Sequence, residues 1–292
     1  EPPVAAAVSP ATTIAHDNLA ITADPTTPRT VYAATTRAEE PGGGTYYGRL
    51  GFTRSDDGGR TWTPIRPITP AVNDERIGAP QIVVDPRSGR LYAVYHRTRA
   101  GRRVIGVMIS EDRGESWSAE FMAAPHVRGT RTFHPTTQER FVLALDIIQA
   151  VVSPSTGELV IAFADARLDS VRKTISVVWS RDGRSWSQPA DASRAPGHTA
   201  WLPAVAAAGD GTFALTWFEA DFGRTDAAPQ ARTMLRRFRI RSGRLELQNA
   251  VELRRARLEW PGDYQGLIAA GDAFLAVYGQ ETDIFATRMV SR

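Results

Sequence analysis

The sequence predicts an all-β protein built from repeated four-stranded antiparallel units. Three observations carry that expectation. A short apolar run, a Pro/Gly/Asp turn and a second apolar run recur five times, at 18–36, 79–97, 147–167, 202–221 and 264–281. A tight turn ending on tryptophan recurs three times, as "SDDGGRTW" at 55–62, "SEDRGESW" at 110–117 and "SRDGRSW" at 180–186. No segment shows the 3.6-residue apolar period of an amphipathic helix.

Each pair of apolar runs reads as a β-hairpin, because β-rich segments flank a cluster of turn-forming residues. The distance from one hairpin to the next leaves room for two more strands, which makes four per unit. The tryptophan turn follows the third strand: "YYGRLGFTR", "RVIGVMIS" and "TISVVWS" precede its three copies. Its Ser and Asp side chains are placed to bond backbone amides inside the turn. Its Gly supplies a positive φ, and its Trp returns to pack against the neighbouring layer. Asp57, Asp112 and Asp182 are therefore read as turn-builders. Four-stranded units repeated in this way make a β-propeller. Five blades are expected, with six as the alternative if one blade is degenerate. The fifth unit supplies three strands, and "VAAAV" at 4–8 is expected to add the fourth and close the ring, leaving no open edge. The whole of 1–292 is read as one propeller domain, with 1–14 as an N-terminal segment that includes the closure strand.

Composition narrows the function classes. At 42% hydrophobic and 23% charged residues the chain can build a large core. There is no Cys, which excludes disulfides, Cys-ligated zinc and a thiol nucleophile. No apolar run is long enough to span a membrane as a helix. The net charge is +3 and the basic residues form no block, so nucleic acid is not an expected partner. Lys173 is the only lysine; nearly all the basic residues are arginine, the side chain whose planar fork grips carboxylates. The opening "EPPVAAAVSPATT" reads as a Pro/Ala-rich stretch following a removed signal peptide, and so as a secreted or periplasmic protein; an arbitrary boundary is the alternative. A monomer is expected.

Hairpin geometry sorts the residues onto two faces. First strands start, and second strands end, on the face opposite the tryptophan turns. The starts are "HDN" (16–18), "RIGAPQ" (76–81), "DIIQ" (146–149), "HTAWLP" (198–203) and "DYQ" (263–265). The ends are "TTR" (35–37), "YHR" (95–97), "FADAR" (163–167), "WFEAD" (217–221) and "YGQE" (278–281). Strands end in solvent, so any one of these charges has a plain surface reading, but all five units converge on Asp, Glu, Arg, His, Tyr and Trp.

At this point the residues resemble a family. The first two tryptophan turns fit the Asp-box pattern Ser-x-Asp-x-Gly-x-Thr/Ser-Trp of sialidase-like propellers, also called bacterial neuraminidase repeats, and the third is one residue short of it. "GDYQGLIAAGDAFLAVYGQETDIFATR" is similar to the last blade of secreted bacterial sialidase-like proteins. Asp boxes also occur in propellers with other functions, so the resemblance bears on fold more than on activity. The Arg-Ile-Pro motif usual before the first box in sialidases is absent; "RIGAP" at 76–80 follows the box instead.

The resemblance implies a set of roles. Arginines bind the substrate carboxylate: Arg37, Arg97 and Arg167 at successive second-strand ends, with Arg76 nearby. Tyr264 is the nucleophile, activated by Glu219, because a neutral phenol suits an anionic sugar better than a carboxylate does. Asp17 is the acid/base, with Asp146, Asp165 and Asp263 as rivals. Asp165, Asp263, Gln265, His96 and Trp201 complete the candidate substrate-binding set. Each has a bland counterpart: "GDYQG" as a closure turn, Trp201 as core. His16, His96, His134 and His198 are too scattered for a metal motif, no cofactor is implied, and structural calcium stays open without a motif to support it. The stretch 125–141, which accounts for the longer spacing between the second and third tryptophan turns, reads as a lid or specificity loop or as plain surface. Loop 223–230 is similar. The implied function is a glycoside hydrolase on an acidic sugar such as sialic acid. A non-catalytic carbohydrate-binding propeller and a protein-interaction scaffold are the alternatives.

Overall fold

The computed structural model describes residues 14–42, 45–126, 132–133, 140–141, 147–168, 172–221, 230–258 and 265–290. Among these residues there is no helix; the chain is all-β. The first sheet takes β1 (Ile14–Ala23), β2 (Val31–Gly42), β3 (Thr45–Ser55) and β4 (Arg66–Pro67) in that order. The second takes β5 (Arg76–Val84), β6 (Leu91–Arg99), β7 (Arg102–Ser110) and β8 (Phe121–Pro125). Two short strands, β9 (Thr132–Phe133) and β10 (Arg140–Phe141), pair with each other inside the insertion. The third sheet takes β11 (Ile148–Val152), β12 (Leu159–Asp165), β13 (Thr174–Ser180) and β14 (Ala190–Asp191). The fourth takes β15 (Thr199–Ala207), β16 (Phe213–Ala220), β17 (Gln230–Arg241) and β18 (Arg244–Leu247), with β19 (Val251–Arg257) also paired to β17. The fifth takes β20 (Gln265–Ala270), β21 (Ala273–Gln280) and β22 (Asp283–Val290). All these pairings are antiparallel.

The five hairpins expected from the sequence are the first two strands of the five sheets. The closure strand expected at 4–8 lies outside the described residues. The second strands are the most apolar, and the burial pattern says why. Every residue of β12 and β16 is buried, as a strand covered on both faces must be. By contrast β1 alternates half-buried and exposed residues, leaving Leu19 and Ile21 in solvent.

Two compact units divide the chain: Glu1–Pro125 with Arg181–Trp186, and His126–Ser180 with Ser187–Arg292. In the first, the opening two sheets pack face to face. Tyr32, Leu50 and Phe52 meet Ile77, Ile82, Leu91 and Tyr95. In the second unit, Val160, Ile175 and Val177 of the third sheet meet Phe213, Leu215, Trp217 and Phe238 of the fourth. The fourth sheet's other face, through Trp201, Phe218 and Leu235, meets Leu267, Phe274 and Tyr278 of the fifth. Burying one such side chain contributes about 1.5–3 kcal/mol, so neighbouring sheets within each unit are held together by their apolar faces.

The tryptophan turns are built by their Ser and Asp. Ser55 Oγ accepts the Gly59 amide and donates to Asp57 Oδ1, both at 2.8 Å. Asp57 then accepts the Thr61 amide at 2.9 Å and the Thr61 hydroxyl at 2.7 Å. Ser110, Asp112, Gly114 and Ser116 repeat this arrangement. The hydroxyl and amide of Ser116 hold the Asp112 carboxyl down at about 2. In the third, shorter copy Asp182 Oδ1 reaches the amides of Arg184 and Ser185 instead, each at 2.8 Å. Trp62 and Trp186 each donate Nε1 to the turn glycine's carbonyl, Gly59 and Gly183, at 3.2 Å. Asp57, Asp112 and Asp182 are thus consumed within their own turns.

Candidate functional site

Three first strands carry the same irregularity near their starts. The β1–β2 register shifts between Asp17 and Ala20, β5–β6 between Gly78 and Gln81, and β15–β16 between Trp201 and Ala204. Each bulge holds a non-glycine residue in the left-handed region: Asn18 at φ 52, Ala79 at φ 47 and Leu202 at φ 53. Bulges re-aim side chains and cluster near functional sites. Side chains satisfy the carbonyls they displace. Thr35 Oγ1 donates to Asp17 O at 2.8 Å, and Gln265 Nε2 donates to Leu202 O and, at 3.3 Å, to Thr216 O.

In the first unit, Asp17 is exposed and both its carboxylate oxygens are taken by Asn18, through the backbone amide at 2.7 Å and Nδ2 at 2.9 Å. Arg37 donates to Glu39 Oε1 at 2.6 Å, and Arg49 approaches the same oxygen at 3.3 Å. His16, opposite Arg37 in the ladder, is held below its ordinary pKa by burial and by the Arg37 charge. Arg97 grips Glu120 with Nε and NH2, at 2.9 and 2.7 Å, and stands 3.7 Å from Glu75. Tyr95 OH donates to Glu120 Oε2 at 2.8 Å but is itself fully buried. Glu75 is buried just before β5, and burial pushes its carboxyl up against the opposing pull of Arg97. His96 is buried, with Nδ1 2.7 Å from Arg103. Arg76 lies exposed at the start of β5.

In the second unit, Asp165 is buried at the end of β12 and paired with Arg167. The Arg167 guanidinium also lies over the Phe163 ring, 5.9 Å from its centroid. Glu219, near the end of β16, is buried; Trp217 Nε1 donates to its Oε2 at 2.7 Å and Arg232 donates to Oε1. Trp201 is buried and stacks on Phe218 with ring centroids 6.0 Å apart. Gln265 opens β20 and, through the bonds above, ties that strand to the β15 bulge and to β16. Tyr264, Asp263, Asp146 and His134 lie outside the described residues. Among the described residues no group of three or more His, Asp or Glu could hold a metal, and no helix is long and apolar enough to cross a membrane.

Within each unit, the residues at the strand ends meet partners that lie away from those ends. Arg232, Glu120, Glu75 and Glu39 are the carboxylate or guanidinium partners of residues that the strand-end survey chose. Arg232 has a sequence signal: a third strand starts on the face where the second ends, so its first residues belong in the survey. Glu120 has none, because its approach to Arg97 depends on the placement of an outer strand 23 residues downstream.

No protein-family model matches the chain, and no curated protein does. Solved structures do match. The Penicillium chrysogenum α-L-arabinanase, complexed with arabinobiose, superposes with a TM-score of 0.62 at 15% identity, over 93% of this chain and 77% of that one. The GH93 α-L-arabinofuranosidase of Fusarium graminearum gives 0.57 at 12% identity, over 95% and 79%. The intramolecular trans-sialidase of Ruminococcus gnavus gives 0.50 at 16% identity, over 84% of this chain but only half of that one. At such identities the likeness is one of fold: the chain has a sialidase-like, propeller-type fold, and these neighbours are glycoside hydrolases.

Proposed function

We propose that this protein acts on glycans, as a glycoside hydrolase whose substrate carries an acidic sugar. The observation that supports this most is Glu219. It is a buried carboxylate near the end of β16, fixed from two sides by Trp217 and Arg232. A carboxylate oriented in this way is suited to hold or accept a proton from a neighbouring hydroxyl. In the proposal that hydroxyl belongs to Tyr264, the residue before Gln265, and Asp17 is the acid/base.

The arginines favour a second reading. Arg37, Arg97 and Arg167 are each bonded to a carboxylate of their own sheet, so their charge is largely spent within the protein. A propeller that holds sugars without cleaving them fits that arrangement.

A panel of fluorogenic glycosides, including a sialoside and an α-L-arabinofuranoside, separates the two. Turnover that falls at least about 100-fold in Glu219→Gln and Tyr264→Phe supports the hydrolase; Asp17→Asn tests the acid/base role. Saturable glycan binding without turnover selects the second reading. Neither turnover nor binding, with folded protein, rejects both.

A further inference from the structure

We infer, resting on the hydrolase reading, that Gln265 is a positioning residue. Its side-chain amide locks the start of β20, and with it the preceding residue Tyr264, against the strand that carries Glu219. The fifth sheet packs on the fourth through Leu267, Phe274, Ala276 and Tyr278. Apolar contact is non-directional; it holds two sheets together without aiming any one group. At the end where β20 starts, that face turns polar. Gln265 stands opposite Tyr278 in the β20–β21 ladder and so shares its face. Its Nε2 donates to Leu202 O and, at 3.3 Å, to Thr216 O. Gln280, on the same face of β21, is 2% exposed. Its Nε2 donates to Ala231 O at 3.1 Å, and its Oε1 accepts from Thr233 Oγ1 at 3.2 Å.

The choice of acceptors ties these bonds to the site. Leu202 lies in the β15 bulge, and neither it nor Pro203, which has no N–H, has a ladder partner on β16. Gln265 Nε2 stands in for the missing ladder donor. Thr216 precedes Glu219 on β16, and Ala231 adjoins Arg232 on β17, so the two glutamines hold the two strands whose side chains form the Glu219–Arg232 pair. Glu219 shares the other face of β16 with Trp217, which packs toward the third sheet. Gln265 therefore acts through the backbone and not by touching the carboxylate. Its amide has one orientation, because turned over it would set Oε1 against two carbonyl oxygens. Both Nε2 hydrogens are spent on those carbonyls, and Oε1 is buried without a partner among the described residues. No donor is left over for a substrate. Misplacing a reacting group by about 1 Å costs about 100-fold in rate, and a fixed amide beside Tyr264 guards against that.

Gln265→Leu tests this in the intact protein, beside the milder Gln265→Asn, which keeps an amide but draws it back by one methylene. Hydrogen–deuterium exchange is read first, because it needs no activity. Amides at the start of β20 and around the β15 bulge should exchange at least about tenfold faster in Gln265→Leu, with β12 and β13 as in wild type. Then kcat and KM are measured on a glycoside that the wild type turns over. In Gln265→Leu kcat should fall about 100-fold, and in Gln265→Asn less, with KM within about threefold of wild type. In a Tyr264→Phe background the same substitution should add less than about threefold, because the group being aimed is gone. Unchanged exchange, a raised KM at unchanged kcat, or an undiminished loss in the Tyr264→Phe background overturns the positioning role and leaves the hydrolase reading standing. No turnover of any glycoside by the wild type rejects the hydrolase reading itself, and the positioning role with it.

Discussion

Arg232 stands directly opposite Glu219 in the ladder between β16 and β17, and the two side chains close into an ion pair. Glu219 is buried while a quarter of the Arg232 side chain, 24%, remains exposed, so the pair has one dry end and one wet end. Its geometry follows from register: antiparallel strands set residues face to face, and a carboxylate beside a guanidinium then needs no loop to hold it.

Removing one partner of such a pair leaves a buried charge uncompensated, which costs about 3–5 kcal/mol when both ends are dry. With Arg232 partly solvated, Arg232→Ala should cost about 3 kcal/mol by urea denaturation. Adding Glu219→Gln to that variant should recover most of the loss, because a neutral amide still accepts from Trp217. A single-variant cost below about 1 kcal/mol would show that the pair is solvent-screened.

Gly114 sits in the second tryptophan turn at φ +87, and a Cβ there would lie 2.3 Å from Phe52 Cζ. Two penalties meet: left-handed backbone and overlap with an aromatic ring locked in the core. Gly101, at φ +73 with nothing within 4 Å, has only the first. Gly101→Ala should therefore lose about 1 kcal/mol and Gly114→Ala about 3 kcal/mol, the difference measuring the ring clash. Equal losses in the two variants would mean that the turn moves aside.

The two glycines also show what the sequence can convey. A turn that needs Gly, Asp and Ser at fixed offsets is written in those letters, and so were the five hairpins, because the second strands carry runs of buried apolar residues, as β12 and β16 show, with their charges held to the ends. Partnership between charges is not written that way. Arg97 and Glu120 meet through the packing of an outer strand, and Glu219 and Arg232 through a ladder register whose intervening loop has no fixed length. The bulges are hidden for another reason. Positive φ is legible at Gly58 or Gly114, but Ala79 and Leu202 adopt it against their own preference, held by neighbours that no local pattern announces.

Ala79 offers a direct measurement of that stored strain. An L-residue in the left-handed region is unfavourable by about 1–2 kcal/mol, and glycine avoids this at an entropic cost of about 0.5–1 kcal/mol. Ala79 is half-buried and loses little packing on truncation. Ala79→Gly should thus stabilise the protein by up to about 1 kcal/mol, read as a raised urea midpoint at unchanged slope. Leu202→Gly at the equivalent bulge should do the opposite, because its side chain is only 2% exposed in the core. A loss of stability in Ala79→Gly would show that the bulge is not strained.

Glu75 gives a prediction whose sign depends on pH. It is 3% exposed, and burial raises its carboxyl pKa, helped by the Glu120 charge and opposed by Arg97. The native state therefore holds this proton to higher pH than the unfolded chain does, where the group titrates near about 4.3. Stability falls as pH rises from that value through the native one, and the penalty is complete above it. Glu75→Gln removes the titration while keeping the shape, and Arg97 keeps its stronger partner Glu120. The variant should match wild type below about pH 4 and exceed it at pH 7, the gap opening across the intervening range in urea denaturation. A variant less stable than wild type at pH 7 would show that the Arg97–Glu75 attraction outweighs the burial cost.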